Sequence, residues 1–74
     1  ADLLYEMVIQ FVSYSLGEMP VETQRSLTAA MYNWTESYWR RFPTGVKQEI
    51  KAFLNGEMTS GEFQSHVREL LGLV

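Results

Sequence analysis

The sequence predicts one small all-α domain, a four-helix bundle built as two helical hairpins, and three observations lead there. Apolar residues recur at helical rather than strand spacing along almost the whole chain. Gly17, Phe42-Pro43 and Asn55-Gly56 divide it with helix-stopping chemistry, and Thr59-Ser60-Gly61-Glu62 spells a capping box. The 74 residues have room for one core, so residues 1–74 are read as a single domain.

Helix 1 is expected over about residues 2–16. Its polar positions Glu6, Gln10 and Ser13 draw one narrow wet stripe on an otherwise apolar cylinder, with Asp2 as N-cap and Gly17 as a left-handed C-terminal glycine. Helix 2 begins near Pro20, which suits a first helical turn, and is expected to run unbroken over about 20–40, until Phe42-Pro43 disfavours helix. Leu27, Met31, Trp34 and Tyr38 form its core stripe, and Tyr32 and Trp39 fall on another face as rim or contact aromatics. Helix 3, about 44–55, shows Val46, Ile50, Phe53 and Leu54 on one face and stops at Asn55-Gly56. Helix 4, about 59–71, carries Phe63, Val67, Leu70 and Leu71, with Met58 and Phe63 placed as a hydrophobic staple and Gly72 as its stop. Gly-Glu-Met recurs at 17–19 and 56–58, an echo that convergent turn chemistry explains better than duplication.

The chain has no cysteine, which excludes a disulfide framework and thiol chemistry and suits a reducing compartment. No basic segment precedes the first apolar run and no stretch is apolar enough to span a bilayer, so the expected location is intracellular, cytoplasmic or nuclear, without membrane binding. One histidine, one aspartate, no phosphate-cradling glycine loop and no nucleophile elbow argue against an enzyme, a cofactor or a small-molecule substrate. His66 shares a helical face with Glu62 and Glu69, but His66-x-x-Glu69 reverses the order used by carboxylate-bridged metal bundles and has no second copy. No metal site is expected, and His66 is placed at the core rim. Asn33-Trp34-Thr35 spells a glycosylation sequon that falls inside helix 2 and is read as chance.

Net charge is −3, with acidic ends and a basic middle. Arg40, Arg41, Lys47 and Lys51 gather at the helix 2 to helix 3 corner, a possible anion or nucleic-acid contact, although helix 4 offers phosphate only Arg68 against Glu62 and Glu69. More informative is helix 1: with so narrow a polar stripe it is either the central helix of the bundle, covered by its three short partners, or a helix whose uncovered apolar surface pairs with a second copy or another protein. The expected partner surface is Leu4, Tyr5, Val8, Ile9 and Val12 of helix 1 with Tyr32 and Trp39 of helix 2.

The stretch VKQEIKAFLNGEMTSGEFQSHVRELL, Val46 to Leu71, resembles the middle of the TAFH co-regulator domains, on Leu54-x-Gly56 and Glu62-Phe63. The resemblance implies a helical module that binds peptides. It assigns no binding residue, because that family continues into another helix where this sequence reaches Val74.

The sequence thus points to a non-catalytic protein-interaction or oligomerisation module of an adaptor or regulatory protein, docking a protein partner or forming a homodimer. The alternatives are a small nucleic-acid-binding regulator and an acidic, antitoxin-like inhibitor.

Overall fold

The computed structural model describes residues 2–73, which form five helices: α1 (Leu3–Gln10), α2 (Val21–Tyr32), α3 (Glu36–Trp39), α4 (Val46–Leu54) and α5 (Ser60–Leu71). There is no strand among the described residues, and the all-α bundle is as the apolar spacing requires. α4 and α5 form a helical hairpin, α2 packs on α4, and residues 11–18 pack on α5. The buried core is Val12, Leu16, Met31, Trp39, Val46, Ile50, Phe53, Phe63 and Val67, with Phe53 and Phe63 stacked at 5.0 Å between ring centroids.

The hairpin is punctuated by the expected chemistry. Asn55 ends α4 and Gly56 takes the left-handed conformation (φ 78°), with the Glu57 N–H on the Ala52 carbonyl and the Gly56 N–H on the Phe53 carbonyl. That pair of bonds is a Schellman turn. Thr59 and Glu62 then cap each other's backbone: the Glu62 N–H donates to Thr59 Oγ1 (3.1 Å) and the Thr59 N–H to Glu62 Oε1 (2.8 Å). Leu54-x-Gly56 and Glu62-Phe63, which carry the likeness to co-regulator domains, are thereby occupied with ending one helix and starting the next.

Helix 1 departs from expectation at its end. Gly17 does not stop it in left-handed conformation. The rod continues past Gln10 into a π-helical turn, Phe11–Ser15, where the Leu16 N–H reaches back five residues to Phe11, and then into a 3-10 turn, Leu16–Glu18. Widening the helix takes carbonyls out of their usual register, and neighbouring side chains take them up. Arg68 donates to the Ser13 carbonyl (2.6 Å), and Gln24 to the Met19 carbonyl (2.8 Å). The Gln64 amide, turned with its oxygen toward the chain, accepts from the Leu16 and Gly17 N–H groups (3.3 and 3.2 Å), which satisfies more of the turn than donation to the Val12 carbonyl in the opposite orientation. Gly17 is needed for this approach, since a Cβ there would lie 2.7 Å from the Gln64 amide. The two Gly-Glu-Met turns therefore differ in kind.

The single long helix 2 is overturned. α2 ends at Tyr32, Asn33 and Trp34 close it with tight bonds to the Ala30 and Met31 carbonyls, and Asn33 Nδ2 donates to the Ala29 carbonyl (3.0 Å). Side-chain competition of this kind favours a helix end at Asn. Thr35, in extended conformation, starts the one-turn α3. An unbroken 20–40 helix would run about 30 Å, the full length of the molecule's longest axis, 30 Å. The break instead folds Trp39 and Phe42 back onto Trp34, at 5.4 and 6.0 Å between centroids.

The core stripe changes with it. Trp39 is buried (7% exposed), whereas Trp34 and Tyr38 are half-buried. On α2 the buried residues are Gln24, Thr28 and Met31, and Leu27 lies outside. Polar residues can hold that inner face because both are satisfied locally: Thr28 Oγ1 donates to the Gln24 carbonyl (2.8 Å), and Gln24 spends its amide on the 3-10 turn. Ser13, expected on the wet stripe, is fully buried against α5 for the same reason that the helix widens there.

Candidate protein-docking face

α1 is apolar at every position but Glu6 and Gln10, yet none of its residues is buried. Its inner edge is fastened at the α3 corner. Asp2 accepts from the Tyr5 N–H (3.1 Å) as N-cap and pairs with Arg41 Nη1 (2.6 Å); Tyr5 lies on Phe42 at 4.8 Å, and the Arg41 guanidinium sits 5.1 Å over the Tyr38 ring. The outer edge is open: Leu3, Leu4 and Met7 are 72, 59 and 67% exposed.

Between these edges runs an apolar groove. Leu4 and Val8 face Trp34 and Tyr38 across it, and through Val8 and Trp34 it continues to Phe11, Leu27 and Met31. Successive helix positions turn by about 100°, which places Leu4 and Val8 at the lip of the groove and Leu3 and Met7 one step further outward. The apolar arc is thus continuous from the core to open solvent. Asn33 and Thr35 are the polar groups at its α3 end.

Of the residues singled out in the sequence, Leu4 and Val8 lie on this face, and Tyr5 and Ile9 are half-buried on the inner side of α1. Val12 and Trp39 are corrections: both belong to the core, at 2 and 7% exposed, because the π turn points Val12 at α5 and the break before α3 turns Trp39 inward. Tyr32 is half-buried with the Lys47 ammonium 5.0 Å over its ring, and it does not line the groove. The face instead recruits Leu3, Met7, Leu27 and Trp34. The i, i+4 pair Leu3/Met7 was visible in the sequence; the role of Trp34 and Leu27 depended on where helix 2 breaks.

The cations named in the sequence are partly engaged within the chain. Arg41 is held by Asp2, Lys47 covers Tyr32, and Arg40 and Lys47 share a shallow cleft with Glu36 before α4. His66 stands exposed rather than at the core rim, its Nδ1 2.6 Å from Glu49 Oε1 across the hairpin. Among the described residues no group of three or more His, Asp or Glu side chains is placed to hold a metal ion, and no helix is long and apolar enough to cross a membrane. The Asn33 sequon lies in the exposed break after α2, not inside a helix.

A Treponema pallidum (strain Nichols) protein, described only as uncharacterised, is 38% identical over 73 residues. The match takes in 99% of this chain and 36% of that relative, so the chain spans little more than a third of the relative's length. No solved structure matches. A protein-family model covers residues 1–70, and the chain belongs to that family, described as "Uncharacterised Treponema protein".

Proposed function

We propose that this chain is a non-catalytic protein-interaction module of an intracellular adaptor or regulatory protein, and that it docks a protein partner or a second copy through the outer face of α1 and the groove beside it. One observation supports the reading above all: a helix with apolar side chains at all but two positions has no buried residue. Fully covering a Leu or Met side chain contributes about 1.5–3 kcal/mol, and Leu3, Leu4 and Met7 adjoin one another with most of that contribution unrealised. A contiguous apolar face of this kind marks a contact site more often than a solvated surface. The aromatic wall of Trp34 and Tyr38 adds the residue types that dominate interface energetics.

Affinity capture with the wild-type chain and with a Leu4→Asp/Met7→Asp chain, run side by side, tests this. Both sites are exposed, so circular dichroism should show an unchanged fold. A protein retained by the wild type and lost by the variant is the expected result. Indistinguishable retention by the two chains overturns the reading.

A further inference from the structure

Resting on that docking reading, we infer that the occupant of the face is a second copy of this chain, related to the first by a two-fold axis passing near Met7. A two-fold contact is self-complementary, so one patch must carry both the projection and the recess it enters. This patch does. Leu3 and Met7 project from α1, and the groove walled by Leu4, Val8 and Trp34 opens directly beside them, with Leu27 on its far bank.

Charge favours the same geometry. The chain carries a net charge of −3, and residues 1–24 hold Asp2, Glu6, Glu18 and Glu22 with no Lys or Arg, so most ways of bringing two copies together at α1 set carboxylate against carboxylate. The arc from Leu3 through Met7 to Leu27 and Trp34 contains no charged residue. It can therefore meet its own copy with no like-charge conflict, while Glu6 and the Asp2–Arg41 pair stay at the rim. A stable interface hides about 800 Å² on each partner, about one-sixth of the chain's 4700 Å². α1 alone is too short to supply that, which is why the groove and its far bank belong to the contact.

Sedimentation equilibrium over low to high micromolar concentration tests the inference, using the wild type, Met7→Asp and Leu27→Asp. The expected result is a reversible wild-type dimer that each substitution weakens on the order of tenfold or more, because Met7→Asp sets two carboxylates against each other at the axis and Leu27→Asp puts an unpaired charge on the apolar bank that receives the copy's α1. A wild-type chain that stays monomeric at every concentration overturns the second copy. If capture of another protein still depends on Leu4 and Met7 in that case, the docking reading itself stands. Self-association that both substitutions leave unchanged overturns this face as the dimer contact.

Discussion

Arg68 Nη1 donates to the Ser13 carbonyl oxygen at 2.6 Å, so the last turn of α5 holds the point where the first helix widens into a π turn. The same guanidinium lies 5.4 Å from the Tyr14 ring centre. The bond joins residues far apart in sequence and is the means by which α5 fixes the direction in which α1 leaves the core. Without it the carbonyl of Ser13, a residue with no solvent exposure, loses a charged donor. Arg68→Met, which keeps much of the apolar stem, should therefore destabilise the chain by about 1.5–3 kcal/mol, the range for a hydrogen bond from a charged group. Urea denaturation measures it, and a loss indistinguishable from zero would show the bond to be incidental.

Gly17→Ala should also destabilise, although Gly17 has no left-handed backbone conformation to protect. The new methyl would stand 2.7 Å from the Gln64 amide, and a buried amide cannot swing away without losing its bonds to the 16–17 turn. A cost of about 1–3 kcal/mol is expected from the unsatisfied groups. The discriminating measurement is the double variant Gly17→Ala/Gln64→Ala, in which the methyl should cost markedly less than it does alone.

The two tryptophans should behave in opposite ways. Trp39→Ala removes a buried ring from the core and is expected to cost about 3–5 kcal/mol. Trp34→Ala removes a half-buried groove wall, with a smaller effect on stability and a larger one on association. Denaturation and sedimentation of both single variants separate the two roles. Equal unfolding by both would place Trp34 in the core as well.

The capping box gives a pH dependence with a defined sign. Hydrogen bonds from the Thr59 backbone, then from its side chain, hold the Glu62 carboxyl below its ordinary value. The folded chain then binds fewer protons at this site than the unfolded chain does. The site's stabilisation is present above the ordinary glutamate range and is lost as pH falls through the lowered value. NMR titration of the Glu62 carboxyl should show the depressed midpoint. Thr59→Ala should return it toward normal and cost about 1 kcal/mol, as the loss of a Thr N-cap does.

Hydrogen exchange should be uneven along the first helix. Amides of α1 before the π turn have no buried side chains above them and should exchange well ahead of those in α4 and α5, which carry most of the core. On association, the slowing of exchange should fall within Leu3–Gln10 and on the groove's far bank around Leu27 and Trp34. Protection of α1 equal to that of α5 in the free chain would mean that α1 is already covered.

The class of fold, the α4/α5 hairpin and both of its caps were legible in the sequence, because each rests on local chemistry: an apolar residue every three or four positions, a glycine free to take positive φ, a threonine three residues before a glutamate. The surplus of apolar surface on helix 1 was legible too, since it follows from composition and length. Tertiary contacts decided the rest. Asn33 favours a helix end without fixing one, and the gain from stacking Trp39 and Phe42 on Trp34 selects the break there. Likewise, nothing local in Phe11–Ser15 asks for a π turn. It exists because Gln64 and Arg68, brought there by the hairpin, supply partners for backbone groups that a wider helix releases. Local spacing determined that the chain is helical and where most of its helices lie, and long-range hydrogen bonding and ring packing determined where one breaks and another widens and which side of each faces inward, hence which tryptophan borders the groove.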